Sequence, residues 1–146
     1  MNKPLWLLPL LLPLAGTVAA QDAGACPYLA ADTGLTWEHR GGENYDFCRA
    51  LRADGTEAFG LNIAKQVPFK PQGGKRAERV MIDGQEVTWY RTEIAGTDVQ
   101  ARETLVTMPD GRVAHIWVQA KSVEQLNEAL QQTKSMKFGS TRLSSN

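Results

Sequence analysis

Imidazole and thiol are scarce in this chain of 146 residues, which has two histidines, His39 and His115, and two cysteines, Cys26 and Cys48. The histidines lie 76 positions apart and neither shares a Cys/His spacing typical of zinc, so no metal site is expected. Serine is missing before Ser122, and the later serines stand outside any G-x-S-x-G nucleophile elbow. A surplus of charge is missing too: 16 Lys and Arg balance 16 Asp and Glu. Nucleic acid and anionic lipid, which favour a basic excess, are therefore not expected partners. No repeat, low-complexity segment or cofactor motif appears, and no cofactor is expected.

Long apolar runs are confined to the start. Lys3, the apolar stretch Leu5 to Leu14 and the small residues Val18-Ala19-Ala20 make the three parts of a secretion signal, with cleavage expected after Ala20. The apolar part is about ten residues, broken by Pro9 and Pro13, whereas a helical span takes roughly twenty. No stable membrane anchor is expected. An acylated Cys26 is disfavoured because Asp22 and Gly24 intervene after the cleavage site and no Leu or Val precedes it by three. The expected location is the periplasm or the extracellular space.

Cleavage would leave 126 residues carrying 15 basic and 16 acidic side chains, since the signal contributes only Lys3. That length suits one domain, read as 21–138, with a frayed Ser-rich tail at 139–146. An exported chain with an even cysteine count most simply pairs them, and a Cys26–Cys48 bridge closing about 22 residues contributes roughly 3 kcal/mol on the chain-entropy argument. A thiolate nucleophile or a metal ligand are the weaker alternatives.

Cys26 to Gly34 reads as a short helical turn, with Pro27 at its first position and Gly34 ending it. From Leu35 onward, strands alternate with turn pairs. Asp54-Gly55 separates Tyr45–Arg52 from Glu57–Ala64, and Asp83-Gly84 separates Arg79–Ile82 from Glu86–Tyr90; in both, two central residues with positive φ are expected. The first hairpin would set Arg52 opposite Glu57 and gather Cys48, Ala50, Phe59, Leu61 and Ile63 on one face. Ala95-Gly96-Thr97 leads into Val99–Thr107. Pro109-Asp110-Gly111 reads as a type I turn with a glycine bulge that pairs Met108 with Arg112. Beyond it Ala114, Ile116, Val118 and Ala120 form the expected core face. Ser122 and Gln125 make a capping box, and Val123, Leu126, Ala129, Leu130 and Thr133 fall on one helical stripe. Met136-Lys137-Phe138 is expected to close the sheet as a last strand.

The expected fold class is thus α+β: an antiparallel sheet of six or seven strands, a short N-terminal helix, and one amphipathic C-terminal helix packed on the sheet. Hairpins, then a capped helix, then Ser135-Met136-Lys137-Phe138 resemble the end of PsbP/Mog1-like domains. The resemblance covers about the last third of the chain and implies a fold; that group is mostly non-enzymatic binding and accessory proteins. No functional residue carries across.

Four constellations are candidates for function. The bulge register sets Leu105 across from His115 and Glu103 across from Trp117, so Glu103 lies diagonal to His115, the beginning of a general acid/base pair that lacks a nucleophile. Trp37 to Glu43 is dense in polar groups. Lys65 to Lys75 is long for a hairpin, and Pro68 and Pro71 would stiffen it around Phe69 and Lys70, presenting an aromatic and a cation at low entropic cost. One version makes Lys70 a substrate-like residue of an inhibitory loop. Trp89, Tyr90 and Arg91 have the composition of an interface hot spot, with one of the two aromatics expected in the core. The preferred expectation is an exported non-enzymatic protein that binds an exported protein partner through Phe69, Lys70, Trp89, Tyr90, Arg91 and Trp117. A small-molecule or lipid carrier with a cavity between sheet and helix is the second, and a hydrolase using Glu103 and His115 the third.

Overall fold

The turns decide which strands meet. In the computed structural model, which describes residues 25–139, Asp83 and Gly84 both adopt positive φ (48° and 76°) and join Ile82 to Gln85. Pro109 to Gly111 brings Met108 N–H onto the Arg112 carbonyl at 2.8 Å, as its composition implied. The expected signal, Met1–Ala20, and the tail beyond Gly139 lie outside the described residues.

Asp54-Gly55 behaves differently. Gly55 alone of the pair has positive φ, 84°, and Arg52 N–H donates to the Thr56 carbonyl. Asp54 instead accepts from the Thr56 amide (2.9 Å) and hydroxyl (2.6 Å), bonds that hold its carboxyl below the usual carboxylate range. The bulge that results, between Ala50 and Leu51, sets Leu51 rather than Arg52 opposite Glu57. Beyond the bulge the register is the expected one: Ala50 faces Phe59 and Cys48 faces Leu61, all fully buried.

Seven strands result: β1 (Thr36–Gly41), β2 (Tyr45–Leu51), β3 (Glu57–Ala64), β4 (Arg76–Ile82), β5 (Gln85–Thr92), β6 (Gln100–Thr107) and β7 (Val113–Ala120). They form one antiparallel sheet in the order β1-β2-β3-β7-β6-β5-β4. Two meanders, β1–β3 and β4–β7, are sewn together where β3 pairs with β7, Leu61 facing Ile116 and Asn62 facing His115. The chain leaves β3 near the middle of the sheet and must cross to its far edge to begin β4. Residues 65–75 make that crossing, ending in a 3-10 turn at Gly73–Lys75.

The helix α1 (Val123–Thr133) is capped by Ser122, whose Oγ accepts from Gln125 N–H at 3.1 Å. The Gln125 side chain returns to Lys121 N–H rather than to Ser122, one residue off the expected box. Leu126, Ala129, Leu130 and Thr133 are buried against β7, β3 and β6. Val123, expected on that stripe, is 56% exposed because it opens the helix before the first turn reaches the sheet. Phe59, Leu61, Ile63, Ala114, Ile116, Val118 and Ala120 supply the sheet's side of this core. Each large side chain so buried contributes about 1.5–3 kcal/mol.

The expected N-terminal helix is absent: only Ala31–Thr33 turns, as 3-10, ended by Gly34 at φ 68°. So few residues cannot offset helix nucleation, and tertiary bonds claim the backbone instead. Tyr28 exchanges both backbone hydrogen bonds with Lys137 (2.9 and 3.2 Å), and the Pro27 carbonyl accepts from Trp37 Nε1 at 2.7 Å. That same single bridge is all that forms of the closing strand expected at Met136–Phe138, although Met136 and Phe138 are buried in the core. The sheet edge opposite β4 is formed by β1, from the polar segment that begins at Trp37. The Cys26–Cys48 disulfide, with Cα atoms 6.0 Å apart, fastens the leading segment to β2.

Candidate functional site on the open face of the sheet

Helix and leading segment cover one face of the sheet; the other is built by the alternate residues of each strand. Phe47 from β2, Asn62 from β3, His115 and Trp117 from β7, Glu103 from β6 and Tyr90 from β5 share it, as their register pairs require. The crossing segment lies over this face as a strap. Phe69 stacks on the His115 ring, with centroids 5.1 Å apart and planes within 3°, and leans on Tyr90 at 6.1 Å. On the far side of His115, Trp117 follows at 5.5 Å and Phe47 a further 5.5 Å away. A run of rings thus crosses the sheet from β2 to β5.

Glycine makes this run continuous. A Cβ on Gly60 would stand 2.4 Å from the Trp117 ring, so only a bare backbone lets the indole lie flat across β3 toward Phe47. Gly42 does the same for Tyr45, whose ring would meet a Cβ there at 2.4 Å. The Trp117 indole N–H reaches Glu57 Oε2 at 3.4 Å. Glu57 in turn accepts from Arg49 at 2.9 Å, and Arg49 also bonds Glu38 at 3.1 Å; these two carboxylates raise the guanidinium above its usual pKa.

The expected diagonal contact is present: Glu103 Oε1 lies 3.0 Å from His115 Nε2. Its other oxygen accepts from the Thr92 hydroxyl at 2.6 Å. The carboxylate fixes the ring's tautomer and orientation, as an acid/base pair requires. Thr92 donates to Glu103, however, and no nucleophile is bonded to His115 among the described residues. Nor does any group of three or more His, Cys, Asp or Glu able to hold a metal occur among them.

Of the other expected contact residues, Lys70 and Arg91 are exposed, and Tyr90 and Trp117 are half-buried on the open face. Phe69 is not presented outward; it is the wedge that seats the strap. Trp89 is corrected outright. It is fully buried on the helix side of β5, because alternation sends it the way of Val87 and opposite to Tyr90. Its indole N–H meets no acceptor among the described residues. His39, from the polar segment, bonds the buried Asp46 at 2.7 Å and serves the β1–β2 edge.

Two grooves flank the seated strap. One, of about 420 Å³, runs beside Phe69, Lys70, Lys75, Tyr90, Arg91 and Glu93. The other, of about 680 Å³, lies between β1, β2, β3 and β7 and is lined by Arg40, Asn44, Phe47, Asn62, Gln66 and Trp117 among others. Sequence reasoning missed this second groove, since it depends on the β3–β7 pairing that no hairpin turn specifies. The one available signal was Gly60 inside an otherwise apolar strand, a mark of close approach.

No family model, curated protein or solved structure matches this chain.

Proposed function

We propose that this chain is an exported, non-enzymatic binding protein that meets a protein partner through the strap end of its open face. The observation that carries the reading is the seating of Phe69 between His115 and Tyr90. With Phe69 held there and Pro68 and Pro71 stiffening the chain on either side, Lys70 is exposed in a fixed place beside Arg91. Lys75 at the same end is paired with Glu93, which leaves Lys70, Arg91 and the exposed Arg76 opposite Tyr90 as its unpaired cations among the described residues, so the partner surface that complements it is acidic. The Cys26–Cys48 disulfide agrees with an oxidising compartment, and no helix among the described residues is long and apolar enough to cross a membrane. A PsbP/Mog1-like fold, in which hairpins lead to a capped helix, belongs to this proposal as well.

A partner recovered from an exported-protein extract should bind the purified protein directly, and the Lys70→Glu, Arg91→Glu double variant should weaken that binding by about 100-fold, with most of the affinity lost at high salt. Equal affinity of the double variant contradicts the reading. The hydrolase alternative draws on the Glu103–His115 hydrogen bond alone; unchanged biological effect in His115→Ala removes it. The carrier alternative needs a cavity between sheet and helix, where Phe59, Leu61, Ile63, Ile116, Leu126 and Leu130 form the buried core.

A further inference from the structure

The groove between β1, β2, β3 and β7 differs from the strap end in how its polar groups are used. The Arg40 guanidinium and the amides of Asn44, Asn62 and Gln66 border it, and none of these side chains makes a hydrogen bond or ion pair among the described residues. They surround a floor of two rings, Phe47 and Trp117, tilted by only 31° to each other at 5.5 Å. Planar amides that donate and accept, and a planar guanidinium that donates, around an aromatic floor are a recognisable chemistry. A hexopyranose with equatorial hydroxyls offers a flat C–H face for the rings and a rim of hydroxyls for amides and guanidinium, each of which can both orient and select. From these residues we infer that the groove is a saccharide-binding site for β-linked oligosaccharides of equatorial hexopyranoses, neutral or weakly anionic.

The lining argues against other ligands. No carboxylate borders the groove, so a cationic ligand finds no counter-charge, and Arg40 is the one formal charge among the lining residues apart from the histidine. The floor is the face of a sheet rather than its edge, so it offers no backbone ladder to an extended peptide. A lipid chain would cover the half-buried Asn62 amide without giving it a partner. The volume, about 680 Å³, suits a ligand of two or three rings and lies inside the ~300–1,000 Å³ range of small-ligand sites. Gly60 and Gly42 seat Trp117 and Tyr45 flat against backbone, so the platform is formed before any ligand arrives, which limits the ordering cost of binding. This site is independent of the protein-partner reading and survives its failure.

The test is calorimetric titration of the whole protein with chitotetraose and with cellotetraose, alongside maltotetraose as the α-linked control and a proline-rich peptide as the competing class. Binding of at least one β-linked probe at millimolar concentration or below, with the α-linked probe weaker, is the expected result. Asn62→Ala should weaken that binding about tenfold, the loss of one or two buried hydrogen bonds, and Phe47→Leu by a similar factor. Both substitutions leave the helix-side core untouched, and an unchanged melting temperature checks that they fold. No binding of either β-linked probe, equal binding in Asn62→Ala and Phe47→Leu, or binding of the peptide in place of the sugars each overturns the proposal. A strap variant, Lys70→Glu, should bind the sugars normally; its loss of sugar binding would also count against a separate site.

Discussion

The two halves of the open face are built from the same strands yet treat their polar groups in opposite ways. On the strap side, Glu103 holds both His115 and Thr92, Lys75 meets Glu93, and Phe69 covers the imidazole. Its acid/base groups are turned inward and fix a loop, which leaves Lys70 and Arg91 among its exposed charges. On the β1–β3 side, Arg40, Asn44, Asn62 and Gln66 ring an aromatic floor without engaging one another. The acid/base pair thus serves as a seat for the strap, and the ring-floored groove beside it, which His115 also borders, is the proposed saccharide site.

That comparison can be broken at several points. The largest effect should come from Phe69→Ala, which removes the ring stacked on His115 and leaning on Tyr90. Urea denaturation should show a loss of about 2–3 kcal/mol, and limited proteolysis should newly cut within 65–75. A loss below about 0.5 kcal/mol would mean that the strap is not seated. Gly60→Ala should cost about 1–3 kcal/mol by forcing the Trp117 ring off β3, and should weaken saccharide binding with it. Sugar binding that is unaffected by this change would separate Trp117 from the groove.

Smaller again is Glu103→Gln, which weakens the charge-assisted bonds to His115 and Thr92 by about 1–2 kcal/mol in denaturant titration and should leave sugar binding intact. The smallest effect concerns acid. Burial opposes ionisation of Glu78, but its bonds from Arg102 outweigh that and hold its carboxyl below the usual range; the Arg112 amide and guanidinium depress Asp110 in the same direction. Carboxyls depressed in the folded state stabilise it above their unfolded pKa, near 4, and that contribution is lost as the pH falls through the folded value. Stability should therefore decline below about pH 4, and Glu78→Gln should flatten part of that decline in a pH series of melting curves.

Much of the fold was legible because local turn chemistry sets register. Asp83-Gly84 and Pro109-Asp110-Gly111 each fixed one hairpin, and the second of these placed Glu103 within reach of His115 from sequence alone. The capped helix was readable for the same reason: Ser122 and the Leu126, Ala129, Leu130 stripe are local signals. What failed was non-local. The leading segment carried helix-compatible residues, yet Tyr28 found Lys137 more than a hundred residues away. Trp89 and Tyr90 could not be assigned to faces without knowing which side α1 covers. The inward seat of Phe69 is not legible in the sequence because the strap's path across the sheet follows from the strand order, in which β3 and β4 stand far apart. The groove was out of reach for the same reason: Asn62 and Trp117 meet only through the β3–β7 pairing.

The most direct test of the divided face is a heteronuclear correlation titration of the isotopically labelled protein with the β-linked tetrasaccharide that binds. Side-chain amide signals of Asn44, Asn62 and Gln66 and the indole signal of Trp117 should shift, while the backbone amides of Thr92 and Lys70 and the buried indole of Trp89 stay in place. Shifts centred on Thr92, Lys70 and the strap, with Asn62 and Trp117 unmoved, would contradict the account.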